Sequence, residues 1–328
     1  MTTAKFLIIG LGSMGKRRIR NLQYLKAGEI FGFDLRADRC QETEGRYGIK
    51  TCTNLDEAMG KNPDMLIIST PPDKHIEYAL IAARNNKHFF TEVNVLPDGL
   101  DELIALCRGK SIVAAPSCTM RFHPAIKDIK NLVKSGKFGK VTNFSYHSGQ
   151  YLPDWHPWES VKDFYVGRKE TGGCREIVPF ELTWIVDILG FPKNLTGFYG
   201  KTMDVGADID DTYVIALDFG EAYGNLMIDV TSRYGTRSLI LNMERGQILW
   251  RWDENVVKVY DAVNQRWIHY RSPEGQAAEG YNKNITEDMY VEEIKSFIEA
   301  VNGKGKFPNS LDEDIRVLGL LQKIEARQ

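Results

Sequence analysis

The sequence has no long apolar run and no excess of charge of either sign. Its longest apolar runs, such as Phe6–Ile9, are far shorter than the ~18 residues that a membrane-spanning helix needs, so we expect no membrane partner. Lys and Arg number 42 and Asp and Glu 44, which gives a formal charge of −2 and disfavours a nucleic-acid partner. The opening residues lack a basic segment followed by a long apolar one, so we expect no signal peptide.

Cysteine is scarce, and its spacing excludes the usual disulfide, redox and metal motifs. The five positions are scattered: Cys40, Cys52, Cys107, Cys118 and Cys174. Free thiols of this kind are typical of a reducing compartment, so we expect the protein in the cytoplasm. No group of His, Cys, Asp and Glu has the spacing of a metal site, so we also expect no metal.

The chain is long enough for two domains. It has 328 residues, of which 43% are hydrophobic and 26% charged, as in an ordinary globular protein. At roughly 100–200 residues per domain, this length predicts two. The pattern changes near residue 122, so the predicted domains are 1–122 and 123–328, with a last helix able to pack back on the first domain.

Residues 1–122 alternate short apolar runs with helical patterns. Each run has the β-branched and aromatic content of a buried strand. Strands that alternate with helices predict an α/β fold with a doubly wound parallel sheet and right-handed crossovers. The runs are Phe6–Ile9, Ile30–Phe33, Met65–Ile68, His88–Phe90 and Ile112–Ala115.

The pattern of the residues after 122 instead predicts a long series of strands flanked by helices. Short turns with Gly or Asn join several strands, and strands joined so briefly must be antiparallel. We expect an α+β domain with helices over Pro124–Val133, 280–302 and Asp312–Ile324. The predicted strands are Val141–His147, Tyr213–Phe219, Asn225–Thr231, Ser238–Met243, Gln247–Trp252 and Val256–Tyr260.

A glycine-rich loop lies between the first strand and the first helix. Gly10, Gly12 and Gly15 have the Gly-x-Gly-x-x-Gly spacing, with Ser13 and Met14 between the last two. The first glycine permits a tight turn, the second lets the backbone approach a pyrophosphate, and the third lets the helix pack close to the strand. Because the helix start also offers free N–H groups, this context predicts dinucleotide binding rather than a glycine turn without a ligand.

Two residues after the second strand bear on which dinucleotide is bound. Asp34 follows Gly15 by 19 residues, a position where a carboxylate accepts ribose hydroxyls. A carboxylate repels a 2′-phosphate, so Asp34 favours NAD. Arg36 is the alternative, because a guanidinium can hold that phosphate and accommodate NADP.

Five strings further along the chain occur in an order typical of one family. They are Ser69–His75, Lys87–Glu92, Arg121–Pro124, Ser135–Val141 and Gly172–Gly190. On these strings the chain resembles the glucose–fructose oxidoreductase/inositol dehydrogenase (Gfo/Idh/MocA) family over nearly its whole length. The aromatic string 150–159 resembles a branch linked to surface-sugar biosynthesis.

The resemblance implies an N-terminal Rossmann domain and a C-terminal α+β domain with an open, mostly antiparallel sheet. It also implies a nicotinamide cofactor and an activity, namely hydride transfer with a sugar, cyclitol or nucleotide-sugar substrate. By position, it places Glu92 near the nicotinamide ribose. The other residues expected along the dinucleotide are Thr70, Pro71, Pro72, His75 and Asn94.

The chain departs from the family at its usual polar residues. The customary Glu-Lys-Pro is here Glu92-Val93-Asn94, and the customary Asp and His of a later helix are Glu176 and Phe180. Val93 cannot hydrogen-bond a hydroxyl, and Phe180 cannot relay a proton. An alternative therefore stays open: a dinucleotide-binding member without dehydrogenase activity, acting as a sensor or partner subunit, or a lyase or epimerase with tightly bound NAD.

Three residues are candidates for the proton transfer that accompanies hydride transfer. Glu176 is the first choice of base, because it keeps an ionisable group where the resemblance places a catalytic acid; its structural alternative is a salt bridge with a neighbouring cation. Glu181 lies next to the lost histidine position. His156, oriented by Asp154, is the competing acid–base residue, in a loop whose tryptophans equally suit a structural role.

A second group of residues is expected at the substrate. Arg121 can hold a carboxylate or phosphate bidentately, and aromatic rings suit the apolar face of a sugar. Each residue also has an ordinary structural explanation, as an ion-pair partner or part of a solvated surface. The expected contacts are Arg121, His123, Trp155, Tyr165, Arg168 and Lys169.

The predicted antiparallel strands alternate apolar and polar residues, as around Ile240, Trp250, Trp252 and Val257. Helices can cover one face of such a sheet. The other face would expose apolar area unless a second chain covered it. We therefore expect a homodimer or homotetramer, and the resemblance points the same way.

Overall fold

The structure, a computed structural model, describes residues 3–157, 159–272 and 287–326. Trp158, one of the tryptophans of the predicted aromatic loop, lies outside the described residues. So does the first part of the helix predicted over 280–302, as far as residue 286.

Contacts between residues divide the chain into two compact units. The first consists of residues 1–118 and 290–316, and the second of residues 119–289 and 317–328. This division differs from the predicted boundary after residue 122 mainly in the segment 290–316. The prediction placed that segment in the second domain, whereas its contacts group it with the first unit.

The first unit contains a six-stranded sheet in which all neighbouring strands are parallel. The strands are β1 (Lys5–Ile9), β2 (Glu29–Phe33), β3 (Lys50–Cys52), β4 (Met65–Ile68), β5 (His88–Thr91) and β6 (Ala114–Pro116). Their order is β3-β2-β1-β4-β5-β6, so the winding reverses between β1 and β4. The carboxyl ends of these two strands are adjacent, which is where doubly wound sheets bind ligands.

Helices cover this parallel sheet: α1 (Ser13–Tyr24), α2 (Ala37–Tyr47), α3 (Leu55–Gly60), α4 (His75–Arg84) and α5 (Leu100–Cys107). Its strands are apolar on both faces, as a parallel sheet between helix layers requires. Ile8 and Phe90 belong to the same buried cluster as Ile19 of α1. Ile294 and Phe297 complete that cluster, and their burial explains why the segment 290–316 groups with the first unit.

The second unit contains an eight-stranded, mostly antiparallel sheet. Its strands are β7 (Val141–Tyr151), β8 (Asn194–Gly200), β9 (Thr212–Asp218), β10 (Tyr223–Asp229), β11 (Thr231–Met243), β12 (Gly246–Arg251), β13 (Val256–Asp261) and β14 (Arg266–Arg271). Their order is β14-β13-β12-β11-β7-β10-β9-β8, and the adjacent pair β7 and β10 runs parallel. The two sheets together confirm the predicted fold class.

The remaining described helices are α6 (Pro124–Lys134), α7 (Cys174–Leu189), α8 (Glu287–Val301) and α9 (Leu311–Glu325). Of these, α7 packs on β9 and β10 and covers one face of the large sheet. Trp250, Trp252 and Val257 are buried, whereas Ile240 is 43% exposed on the open face. Of the four residues used to predict an exposed apolar face, three are therefore buried and only Ile240 is exposed.

Candidate functional site

The glycine loop of the first unit connects β1 to α1. Gly10 has a φ of +89°, and a Cβ there would lie 2.6 Å from the carbonyl oxygen of Ser69. A Cβ on Gly15 would collide with the carbonyl group of Gly10. Beside Gly12, by contrast, the nearest atom to such a Cβ is Arg39 Nη1, at 3.7 Å. The fold itself therefore requires Gly10 and Gly15, whereas at Gly12 a Cβ would make only an ordinary van der Waals contact, so the fold alone does not require a glycine there.

The N terminus of α1 suits an anion. Gly12 is the N-cap and offers no side chain to the helix, and no acidic residue lies in the first turn. First-turn N–H groups have no partner within their own helix, and the helix dipole adds partial positive charge there. Ser13 and Met14 begin the helix, and Met14 Sδ accepts a hydrogen bond from Arg17 at 3.4 Å. A pyrophosphate fits this position.

Asp34 is buried at the carboxyl end of β2. Its Oδ2 accepts a hydrogen bond from the backbone N–H of Leu11 at 2.8 Å, and its Oδ1 accepts one from the backbone N–H of Arg36 at 2.9 Å. The first bond ties the carboxylate to the glycine loop. A carboxylate has about four lone-pair sites, so acceptor capacity is left for ribose hydroxyls.

Two arginines lie near Asp34, and the structure gives them different partners. Arg36 Nε donates to Asp38 at 3.1 Å on the surface. Arg39 Nη1 lies 3.7 Å from Asp34 Oδ2 and beside Gly12. Sequence reasoning named Arg36 and missed Arg39. Its position in the sequence could have indicated it, because Arg39 lies in the first turn of α2, shortly after the end of β2.

The loop after β4 carries a buried hydroxyl. Pro71 and Pro72 lead into a 3-10 turn, and Nε2 of the buried His75 lies 2.9 Å from the Thr70 carbonyl oxygen. Among the residues that the structure describes, none hydrogen-bonds the buried Thr70 Oγ1. A buried hydroxyl without a partner is costly, so a ligand atom at this strand end would satisfy it.

Glu92 and Asn94, after β5, are held by protein groups. Arg18 donates to both oxygens of Glu92, at 2.7 and 2.8 Å, and Ser69 Oγ donates to Oε1 at 3.1 Å. The carboxylate of Glu92 thus forms an ion pair within the first unit, and its expected place near the nicotinamide ribose stays a prediction. Asn94 is buried and contacts His75 and Asp314.

These observations together test the fit of a nicotinamide dinucleotide. The absence of a side chain at Gly12 and the uncapped N terminus of α1 suit the pyrophosphate. Asp34 suits the adenosine ribose, and the Thr70 hydroxyl offers a hydrogen bond at the neighbouring strand end. The residues of the first unit therefore fit this cofactor.

The start of α7 brings two predicted residues of the second unit together. Gly172 packs against the backbone of Val166, with no room for a Cβ, just before the helix begins. Glu176 lies in the first turn, half-buried, and its Oε1 accepts a hydrogen bond from the Tyr165 hydroxyl at 3.0 Å. Sequence reasoning named both residues but did not pair them, because no spacing rule links Tyr165 to Glu176.

The cations beside Glu176 in sequence have other partners. Arg175 Nε donates to Glu325 Oε1 at 2.7 Å, and Tyr213 donates to the same carboxylate at 3.1 Å. Lys169 is exposed, and its Nζ lies 3.6 Å from Asp210. Arg168, the other expected substrate contact on this segment, is also exposed.

The aromatic loop places His156 near this pair. Nδ1 of His156 lies 3.4 Å from Glu159, and the imidazole stacks on Phe164 with 4.6 Å between ring centroids. Asp154, predicted to orient the histidine, is exposed. The indole Nε1 of Trp155 is buried, and no described residue hydrogen-bonds it.

Glu181 is fully buried and accepts four hydrogen bonds. Tyr146 and Trp184 donate to Oε2, each at 2.8 Å, while Ser148 and Arg237 donate to Oε1, each at 2.9 Å. Both oxygens are thus engaged by neighbours in the core between α7 and the sheet. This arrangement supports a structural role and not the proton-transfer role suggested by its place beside Phe180.

Arg121 and His123 also make internal contacts. Arg121 is buried, and its Nε and Nη2 donate to the Thr183 carbonyl oxygen at 3.0 and 2.7 Å. His123 caps α6, because its Nδ1 accepts from the backbone N–H of Ala125 at 3.2 Å, and burial lowers its pKa to about 4. A neutral capping histidine and an arginine that binds a helix carbonyl stabilise the fold, and the substrate contacts expected of both residues stay predictions.

Comparison with known families agrees with the architecture of both units. Residues 4–116 match the model of an oxidoreductase family with an NAD-binding Rossmann fold, and residues 126–249 match the C-terminal domain of the same family. The chain belongs to the Gfo/Idh/MocA family. This membership confirms the predicted resemblance and the prediction of a nicotinamide dinucleotide as cofactor.

Curated relatives cover the chain to different extents. Myo-inositol 2-dehydrogenase of Thermotoga maritima is 23% identical over 341 residues, which is 96% of this chain and 92% of that protein. The uncharacterized oxidoreductase YhhX of Escherichia coli is 25% identical over 173 residues, 52% of this chain and 48% of that protein. The match with YhhX thus spans about half the length of that relative.

Solved structures share the fold over almost the whole chain. An oxidoreductase from Agrobacterium radiobacter, in complex with NAD+, L-tartaric acid and magnesium, has a TM-score of 0.87 at 15% identity and covers 99% of this chain and 96% of its own. The WlbA dehydrogenase from Bordetella pertussis, in complex with NADH and UDP-GlcNAcA, has a TM-score of 0.81 at 17% identity, with 99% and 95% covered. At these identities the likeness concerns the fold.

Two further findings concern the described part of the chain. It contains no helix long and apolar enough to cross a membrane. It also contains no group of three or more His, Cys, Asp or Glu residues arranged to hold a metal ion.

Proposed function

We propose that this protein is an NAD-dependent dehydrogenase that transfers a hydride between the nicotinamide and a carbinol carbon of a sugar, cyclitol or nucleotide sugar. The observation that carries the proposal is the uncrowded Gly12, whose Cβ position has only Arg39 Nη1 within 4 Å, beside an uncapped helix N terminus and the buried Asp34. The substrate class is supported by family membership, by the relative that is an inositol dehydrogenase, and by the structural neighbour that binds UDP-GlcNAcA.

The chain's own residues bind and orient the cofactor in this proposal. The N–H groups at the start of α1 hold the pyrophosphate, and Asp34 accepts the hydroxyls of the adenosine ribose. The Thr70 hydroxyl supplies a further hydrogen bond at the end of β4. When bound, the nicotinamide accepts or donates the hydride, and the protein has to move one proton.

Glu176 is the residue to which we assign that proton. Oxidation of an alcohol releases the hydroxyl proton, and a half-buried carboxylate is a suitable acceptor. The Tyr165 hydroxyl donates to Oε1, which fixes the orientation of the carboxylate. We do not assign the proton to Glu181, because four hydrogen-bond donors already occupy both of its carboxylate oxygens. His156 remains the competing candidate.

We further propose that the protein forms a homodimer or homotetramer and is located in the cytoplasm. Phe198, Val214 and Met227 are 80%, 42% and 41% exposed and lie in register across β8, β9 and β10. Ile240 of β11 is on the same open face. Apolar residues in such a row are typical of a surface covered by a second chain. The five free cysteines suit a reducing compartment.

The proposal is tested by identifying what the protein binds and oxidises. Mass spectrometry of the purified protein is expected to find a nicotinamide dinucleotide, with or without a sugar. NADH formation is then followed with a panel of cyclitols, monosaccharides and nucleotide sugars in the presence of NAD. Activity with at least one of them supports the proposal. Dinucleotide binding without turnover on any of them would contradict the dehydrogenase assignment.

A further inference from the structure

The first turn of α7, which carries Glu176, receives little support from its own helix. Gly173 is the N-cap residue and offers no side chain to the free N–H groups of that turn. Pro179 lies inside the helix and has no N–H to donate to the carbonyl oxygen of Arg175, four residues earlier. Because a proline ring also crowds that carbonyl group, we expect the turn to depend on contacts from outside the helix.

An ion pair with α9 supplies one such contact. Arg175 Nε donates to Oε1 of Glu325 at 2.7 Å, and Arg175 Nη2 donates to Oε2 at 3.1 Å. Glu325 is the last residue of α9, and the two side chains are 12% and 22% exposed. A bidentate pair of this kind fixes the relative orientation of both groups as well as their distance. The ion pair therefore ties the start of α7 to the end of α9.

Two tyrosines of the large sheet hold Glu325 in turn. The hydroxyl of Tyr213, on β9, donates to Oε1 at 3.1 Å. Burial, together with the charge of Glu325, raises the pKa of Tyr213 far above its usual value, so this hydroxyl stays a neutral donor. The hydroxyl of Tyr199, on β8, donates to the backbone carbonyl of Glu325 at 3.2 Å, and the two tyrosine rings stack with 5.1 Å between their centroids. The end of α9 is thus fixed on strands β8 and β9.

The guanidinium of Arg175 also reaches the segment that carries Tyr165. Its Nη1 donates to the Glu170 carbonyl oxygen at 2.6 Å. The next residue, Thr171, is buried, and its hydroxyl donates to the Tyr165 carbonyl oxygen at 3.0 Å. Tyr165 and Glu176 therefore belong to two segments that share Arg175 as an anchor, and the hydrogen bond of 3.0 Å between their side chains joins these segments.

We propose that Glu325 is a positioning residue for proton transfer, because it holds Arg175 and thereby sets the geometry of the Tyr165–Glu176 pair. Glu325 does not touch the reacting atoms; its effect passes through the guanidinium to the first turn of α7 and to the Glu170 carbonyl. Without the carboxylate, the guanidinium loses both of its bonds to α9 and no longer holds the two segments in one arrangement. The inference rests on the proposed function in one respect, that Glu176 accepts the substrate proton.

Glu325→Ala is the informative variant. With the substrate found in the panel, kcat per NADH-binding site is expected to fall by about 10- to 100-fold, since a displacement of about 1 Å at a catalytic group can cost about 10²-fold. KM and NADH affinity are expected to stay within about threefold, because the proton acceptor acts in the transition state and the residues that fit the dinucleotide lie in the first unit. A folded Glu325→Ala with wild-type kcat would overturn the inference.

Two further variants separate positioning from general destabilisation. Glu325→Gln retains an oxygen that can accept from Arg175 Nε and from Tyr213, so it is expected to recover most of the turnover lost in Glu325→Ala. Lys323→Ala is the matched control, because Lys323 is exposed in the same last turn of α9, and it is expected to have wild-type kcat. Thermal unfolding checks that each variant is folded at the assay temperature. Equal losses of turnover in Glu325→Ala and Lys323→Ala would contradict the inference.

The geometry of the pair is also measured without any substrate, from the ¹⁹F signal of 3-fluorotyrosine incorporated at Tyr165. The signal is expected to move in Glu325→Ala and to stay in place in Lys323→Ala. An unchanged signal in Glu325→Ala would overturn the inference, whatever the substrate. A moved signal in Glu325→Ala, combined with wild-type turnover in Glu176→Gln, would instead overturn the assignment of Glu176 in the proposed function.

Discussion

Glu176 is the residue on which the proposed proton transfer depends. Glu176→Gln keeps the size and the hydrogen bond from Tyr165 but removes proton acceptance, so turnover is expected to fall by about 10²–10⁴-fold. NADH affinity is expected to stay within about twofold, because the residues that fit the dinucleotide lie in the first unit. Steady-state kinetics with the substrate found in the panel, together with NADH titration, measures both quantities.

Two variants serve as comparisons for Glu176→Gln. Glu170→Gln changes an exposed carboxylate on the same segment and is expected to leave turnover unchanged. His156→Asn removes the competing acid–base residue. Near-normal turnover in Glu176→Gln with a large loss in His156→Asn would move the proton acceptor to the aromatic loop.

The two arginines near Asp34 are expected to differ in their effect on cofactor binding. Arg39 lies beside both Asp34 and Gly12, so Arg39→Ala is expected to weaken NADH binding by about fivefold, as removal of a charged contact does. Arg36→Ala is the matched control, since its side chain bonds Asp38 at the surface. A larger loss of NADH affinity in Arg36→Ala than in Arg39→Ala, measured by fluorescence titration, would show that Arg36 is the arginine that contacts the cofactor.

At the scale of elements, a buried ion pair fixes α7 to the large sheet. Arg237→Met leaves the Glu181 charge buried with one donor fewer, and the free energy of unfolding is expected to fall by about 3–5 kcal/mol. Arg251→Met is the control, because Arg251 is 57% exposed and pairs with Asp253, which is worth less than about 1 kcal/mol. Equal urea midpoints for the two variants would show that the buried pair does not stabilise the helix.

Apolar runs predicted most strands but missed three. β3 has only three residues, β8 buries only Leu195 and β14 buries none of its residues, so neither length nor burial left a pattern in the sequence. The parallel pairing of β7 with β10 was also missed. Pairing between strands some 80 residues apart depends on the tertiary arrangement, which local periodicity does not encode.

The candidate site was predictable where local geometry decides it. The glycine loop and Asp34 follow from spacing within one strand–helix–strand unit. The engagement of Glu92 by Arg18, of Glu181 by its four donors and of Arg121 by a helix carbonyl all arise from contacts between distant segments. Sequence position alone therefore could not reveal these internal partners, and the ligand roles expected of the three residues stay predictions.

At the scale of the whole molecule, the open sheet face predicts assembly. The wild type is expected to sediment as a dimer or tetramer of the 37.3 kDa chain. A charge on the face, as in Met227→Glu with Ile240→Glu, is expected to produce a monomer, because burying unpaired carboxylates is costly. Val263→Glu is the control, since Val263 is 68% exposed in the turn after β13. A wild type that sediments as a monomer at all concentrations would contradict the prediction.

The account depends most directly on a dinucleotide bound at the glycine loop, and NADH titration of Gly12→Val tests it. A valine at this position places a side chain where the pyrophosphate is expected to bind and meets only the end of the Arg39 side chain, so NADH affinity is expected to fall by more than about tenfold while the protein stays folded. Gly45→Val, in α2 with no atom within 4 Å of its Cβ position, is the matched control and is expected to bind as the wild type does. Equal NADH affinity in the wild type and a folded Gly12→Val would contradict the account.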